Sequence, residues 1–148
     1  MASQTVRLRR LSEFARLPRY SHPGDSGLDL CSAEAGSVKR GERRLFRTGL
    51  AIELQSSMEG QIRSRSGLAS HHGVVVLNSP GTIDSGFRGE LCVLLANFGE
   101  ADFEVEIGMR IAQLVVAPTL RVSFEEVTEL SASERGEGGF GSTANTER

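Results

Sequence analysis

Short runs of alternating or β-branched residues recur along almost the whole chain, with glycines between them. The runs are VRLRRL, LDLCSA, LFRTGLAIEL, GVVVL, GELCVLLANFG, FEVEIG and RIAQLVV, and each has the character of a strand. Gly36, Gly41, Gly60, Gly73, Gly81, Gly89, Gly99 and Gly108 punctuate them as turn signals. The pattern predicts an all-β domain, a barrel or sandwich of short strands. One segment departs from it: SGLASHHG predicts a short helix, with Ser66 as its N-cap and Gly73 as its stop.

A length of 148 residues suits one such domain with a core of ordinary size. The net charge of −2 gives no broad basic field for nucleic acid. No apolar run approaches the roughly 18 residues of a membrane span. Neither nucleic acid nor membrane is therefore an expected partner. Arg7, Arg9, Arg10, Arg16 and Arg19 cluster near the start. A transit peptide carries such arginines, but Val6 and Leu8 alternate as a first strand does. Cys31 and Cys92 make no CxxC and no disulfide framework, so reduced, buried thiols are expected. The three histidines form no zinc pattern.

The end of the chain differs in composition. TELSASERGEGG is linker-like, and RGEGGFGST, Arg135 to Thr143, contains Gly136-x-Gly138-x-x-Gly141. A dinucleotide-binding turn with that spacing needs a βαβ unit around it, and a kinase loop needs a catalytic lobe downstream. Only seven residues follow Gly141. Two readings stay open: a solvating tail, or a mobile arm that closes over a site built elsewhere. Arg135, Phe140, Ser142 and Thr143 among the glycines suit the arm. The expected division is a β domain over 1–133 and a flexible arm over 134–148.

Several segments could carry chemistry. In RSRSGLAS, Arg65 and Ser66 stand at the start of the predicted helix, which reads either as plain capping or as an anion site. In NSPGTIDSGFRGE, Asn78 offers a donor and an acceptor together, Asp84 a carboxylate able to take a proton from water, and Phe87 a ring to pack on a base or sugar. The same loop also reads as a long hairpin with a turn aspartate. Asp29, between two leucines, is either an exposed strand residue or a carboxylate for hydrated Mg²⁺. On a regular strand, Arg110 and Gln113 of GMRIAQLVV fall on opposite faces, which suits an ion-pair partner and a ligand donor respectively. Together these features suggest a nucleotide with a polyphosphate and Mg²⁺.

SGLDLCSA, RSGLAS, GTIDSGFRGE, GMRIAQLVV and RGEGGFGST occur in this order. From Ser26 to Thr143 the chain thereby resembles the trimeric deoxyuridine triphosphatase (dUTPase) family. The resemblance implies a distorted jelly-roll or β-barrel subunit with one short helix and a flexible C-terminal arm. It also implies a homotrimer with sites shared between subunits. It implies that dUTP is hydrolysed to dUMP and pyrophosphate by water attack on the α-phosphorus, limiting uracil in DNA and supplying dUMP for dTMP synthesis. By the same resemblance Asn78 and the hairpin backbone at Gly81, Thr82 and Ile83 read uracil, and Phe87 packs under the deoxyribose. Asp84 activates the water, and Asp29 holds Mg²⁺ through water. Arg65, Ser66, Gly67 and Gln113 meet the phosphates. From the arm, Phe140 stacks over the uracil while Arg135, Ser142 and Thr143 close on the phosphates, with Gly141 among these contacts. The expected location is cytoplasmic, or nuclear where the source is a eukaryote or a virus.

Three positions depart from the family pattern. Phe87 stands where Tyr is usual, Ser64 where Pro often precedes Arg-Ser-Gly, and Ala144 where Gly often follows Thr143. A related dCTP deaminase needs a glutamate on the strand after the hairpin, yet Leu91 to Asn97 holds no acid and Leu94 stands at that position. A catalytically silent nucleotide-binding protein of the same fold is the other alternative, and loss of Asp84 or of the arm would favour it; both are present.

Overall fold

The computed structural model describes residues 4–138. Eleven strands and one helix follow one another: β1 (Arg7–Arg10), β2 (Leu28–Cys31), β3 (Gly36–Val38), β4 (Arg43–Arg47), β5 (Leu50–Glu53), β6 (Met58–Arg63), α1 (Ser66–His72), β7 (Val74–Val76), β8 (Gly81–Ile83), β9 (Cys92–Asn97), β10 (Phe103–Val105) and β11 (Arg110–Pro118). All pairings are antiparallel. The strands form a four-stranded sheet in the order β2-β11-β6-β8, a three-stranded sheet β4-β9-β7, and the pairs β1-β5 and β10-β3. This is the all-β, distorted jelly-roll architecture, made of several small sheets rather than one closed barrel.

The alternating runs supply the core. Leu30, Phe46, Leu50, Leu91, Val93 and Leu95 are fully buried between the sheets, and each such side chain contributes about 1.5–3 kcal/mol. Polar groups that enter the core are matched. The Asn97 amide donates to the carbonyls of Val38 and Ala101 at 2.9 and 2.8 Å and accepts from the Gly99 N–H at 2.9 Å. The Thr48 hydroxyl donates to the Leu91 carbonyl at 2.7 Å. Such pairing offsets the cost of burying polar atoms.

The helix begins and ends near the expected places, with one correction. Its N-cap is Arg65, in extended conformation and without a side-chain capping bond, so Ser66 is the first helical residue rather than the cap. Gly73 does end it, at φ 65°, a left-handed conformation that glycine adopts without penalty. A Cβ there would also lie 2.6 Å from the Gly99 nitrogen. Both cysteines are free and half-buried rather than buried, and burial pushes both thiols up from their ordinary value. Among the described residues no helix is long and apolar enough to cross a membrane.

Candidate active site

The four-stranded sheet gathers four of the five quoted segments. β2 carries Asp29, β11 carries Arg110 and Gln113, β6 leads into Arg65 and the helix, and β8 opens the hairpin. Asp29, Gln113 and Arg63 lie in one row across three strands.

A bulge changes how β11 presents its residues. Arg110 pairs with Cys31, but Ala112 already pairs with Leu30 and Gln113 with Asp29. The extra residue, Ile111, shifts the alternation by one position. Arg110 and Gln113 therefore lie on the face shared by Cys31 and Asp29. The opposite-face expectation for a regular strand is corrected here.

On that face Asp29 is the electrostatic centre. Its Oδ2 accepts from Ser21 Oγ at 2.9 Å and lies 3.0 Å from Arg110 Nη1, while Oδ1 lies 3.3 Å from Arg65 Nε. The Arg65 guanidinium also donates to the Arg110 carbonyl at 3.0 Å. Partial burial by itself would raise the Asp29 pKa. The Ser21 and Arg110 hydrogen bonds and the two guanidinium charges outweigh it and hold the carboxyl below its ordinary value. Gln113 donates to the Ser64 carbonyl at 2.8 Å, and the Ser64 hydroxyl accepts from the Val76 N–H at 2.9 Å. Ser64 is thus a junction between β6, β7 and β11. Ser66 and Gly67 are exposed on the first helical turn, and a Cβ on Gly67 would meet nothing within 4 Å.

The hairpin forms a second cluster. The Asn78 amide lies over Gly81, where a Cβ would come 3.1 Å from Nδ2. Gly81 is buried, Thr82 exposed and Ile83 half-buried along β8. Asp84 to Phe87 is a turn closed by the Phe87 N–H donating to the Asp84 carbonyl at 3.0 Å. Both residues are exposed, and Asp84 borders a cavity of about 240 Å³ beside Met58 and Arg121. Asp29 instead borders a separate cleft of about 630 Å³ with Arg16, Arg19 and Arg110. At ordinary strand spacing and rise, the two carboxylates are on the order of 20 Å apart along this sheet. Asp29 and Asp84 thus face different clefts of the chain.

Among the described residues no three His, Cys, Asp or Glu side chains converge as a metal cage. Asp29 is ionised and about one-fifth exposed, with both oxygens facing guanidinium groups. With both oxygens already paired, what it can offer an Mg²⁺ is outer contact through water, with phosphates and waters as the ion's ligands. Arg135 donates to the Gly138 carbonyl at 2.9 Å, within its own glycine turn. Phe140, Gly141, Ser142 and Thr143 lie outside the described residues. Sequence reasoning missed Ser21, Ser64, Arg88 and Glu90 as supports of the site. Of these, Ser64, Arg88 and Glu90 sit inside or beside the quoted segments, where their polar character was the available signal.

The dUTPase family model matches residues 13–144. The deoxyuridine 5'-triphosphate nucleotidohydrolase of Clostridium tetani is 52% identical over 97% of this chain and 99% of its own length. Among solved structures, the dUTPase of Staphylococcus bacteriophage 80alpha with dUPNHPP superposes with a TM-score of 0.89 at 31% identity, covering 95% of this chain and 99% of that one. A dUTPase from phage phi11 of S. aureus, whose structure shows the coordination of a structural Mg(II) ion, superposes with a TM-score of 0.79 at 27% identity, covering 85% and 98%. With the family model spanning most of its length and a relative this similar end to end, the chain belongs to the dUTPase family.

Proposed function

We propose that this chain hydrolyses dUTP to dUMP and pyrophosphate by attack of water on the α-phosphorus. The observation that carries the reading is the four-stranded sheet. Its β2, β11 and β6 bring Asp29, Gln113 and the Arg65–Ser66–Gly67 turn together for the phosphates, its β8 end carries the base hairpin for the site of a neighbouring copy, and family membership supplies the substrate. Asn78 and the backbone of Gly81, Thr82 and Ile83 pair with uracil, Phe87 packs on the deoxyribose, and Asp84 orients the water and accepts its proton. Ser66, the Gly67 N–H and Gln113 hold the phosphates. Arg65 contributes its charge from its place beside Asp29. Arg135, Phe140, Gly141, Ser142 and Thr143 complete the site as the arm over 134–148 closes on the domain formed by 1–133.

Asp29 would hold hydrated Mg²⁺, as its ionised and partly exposed carboxylate allows, and bound Mg²⁺ would neutralise charge on the phosphate oxygens. The working form is a homotrimer whose sites are shared between subunits. The separation of Asp29 from Asp84 supports this. So does the segment after β11, where Leu120, Val122, Phe124, Val127 and Leu130 are exposed. Beyond Thr119, the hydrogen bonds among the described residues stay within that segment. Such a stretch needs an apolar cover, and another copy provides it. The enzyme works in the cytoplasm, where it lowers dUTP and supplies dUMP.

The test is a panel of nucleotides assayed for pyrophosphate release with Mg²⁺, alongside a light-scattering mass. A site built to pair one base discriminates by about 10⁴–10⁵, so dUTP is expected to be cleaved far ahead of dTTP and dCTP, by a species of three times 16.0 kDa. Comparable kcat/KM for dUTP and dCTP would sink the assignment. A monomer with full activity would sink the shared site.

A further inference from the structure

We infer that Arg88 is a positioning residue that sets the tip of the base hairpin, and through it both Asp84 and Phe87. The inference rests on the dUTP reading above. Arg88 Nη1 donates to two carbonyls of the tip, Ser85 at 2.7 Å and Phe87 at 2.8 Å. Its Nη2 lies 3.4 Å from Glu53 Oε1 on β5, and the same carboxylate pairs with Arg7 on β1. Among the described residues, Arg88 is thus the side chain that ties this tip to the body through a polar contact.

The tip has little else to hold it. Asp84 and Phe87 are the first and last residues of a turn closed by one backbone hydrogen bond, and Gly86 lies within that turn. The Phe87 ring is 41% exposed. It folds back on its own loop, over Gly89, where a Cβ would lie 2.6 Å from the ring Cζ. The hairpin root, in contrast, is fixed independently. Glu90 accepts from the Gly49 N–H at 2.8 Å and pairs with Arg47 at 2.7 Å, and the Leu91 N–H donates to the Leu50 carbonyl at 2.7 Å. A fixed root with a lightly held tip leaves a rocking motion of the turn, and the Arg88 fork with Glu53 limits it. Both side chains of that ion pair are substantially exposed, so it adds little to global stability; its role is geometric. Misplacing a reacting group by about 1 Å can cost on the order of 10²-fold in rate. Phe87 lies on the same turn, so a displaced tip also changes the fit to the sugar.

The experiment measures kcat and KM for dUTP and for UTP with full-length wild type, Arg88→Met and Arg88→Lys, and the thermal midpoint of each. Arg88→Met is expected to keep a near-wild-type midpoint, to lose about tenfold or more in kcat for dUTP, and to lower the dUTP-to-UTP ratio of kcat/KM by about tenfold. Arg88→Lys keeps the charge without the fork and is expected to recover part of that ratio. Because the ratio is taken within one preparation, an inactive fraction does not move it. A wild-type ratio in Arg88→Met overturns the assignment, whatever its kcat. Absence of dUTP turnover in wild type overturns the reading of the site, and this assignment with it.

Discussion

At the scale of single residues, the two aspartates of the site have opposite surroundings. Asp84 sits exposed on a turn, and among the described residues it has no ion-pair partner. Its carboxylate is free to approach a water. Asp84→Asn keeps the shape and removes the base. Nucleotide is expected to bind with little change while kcat falls at least about 10²-fold; isothermal titration and turnover on the same sample check this. Asp29 is held ionised by Ser21, Arg65 and Arg110 against the effect of its partial burial. A carboxylate whose folded pKa is depressed contributes stability that is complete above its unfolded value, about 3.9, and is lost as pH falls through the lower folded value. The thermal midpoint of Asp29→Asn is therefore expected to lie below wild type at pH 7, with the gap narrowing below about pH 4. A gap that stays constant down to pH 2 would mean that the loss comes from packing rather than from charge.

At the scale of elements, the bulge in β11 decides which residues share a face. It turns Arg110 and Gln113 to the same side, where Gln113 Oε1 fills the space above Gly27. A Cβ on Gly27 would lie 2.1 Å from that atom. The obstacle is the far end of a flexible side chain, so Gly27→Ala is expected to fold normally and to swing the amide off the Ser64 carbonyl. Loss of one such hydrogen bond is worth about 1 kcal/mol, and kcat/KM for dUTP is expected to fall several-fold, mainly through KM; circular dichroism and steady-state kinetics test the two halves separately. This face was not legible beforehand, because alternation counted along a sequence assumes an unbroken ladder. β6 was missed for a related reason. MEGQIR alternates Met58, Gly60 and Ile62 with Glu59, Gln61 and Arg63, but a glycine at the centre of the apolar face and three polar residues opposite make a weak period, although the strand pairs on both edges within the sheet. Gly60 is there because its neighbours crowd it, with Ile83 3.1 Å and Leu114 3.2 Å from where a Cβ would stand. β3 and β8, at three residues each, are too short to carry a period. The longer strands β9 and β11 and the Gly73 stop were legible because local chemistry alone specifies them. The Asp29–Arg65–Arg110 cluster was not, since only the sheet order brings those side chains together.

At the scale of the molecule, the proposed function has each copy lend parts to another, with the arm over 134–148 as the last piece. Removal of residues 134–148 tests that piece. Every core residue, the Asp29 cluster and the hairpin precede the cut, and so do the apolar residues of 120–130. Fold and assembly should both survive. On the proposed function, the losses would be Arg135 as a cation for the phosphates, the Phe140 ring over the base, and the hydroxyls of Ser142 and Thr143. An arginine supplied to a phosphoryl-transfer site is worth about 10³–10⁵ in rate, and an open site readmits water that weakens the remaining electrostatic contacts. The truncated chain is expected to show the full-length circular dichroism and light-scattering mass, with kcat/KM for dUTP lowered by roughly 10³ or more. If it is folded and turns over at the full-length rate, residues 134–148 form a solvating tail and the site is complete without them.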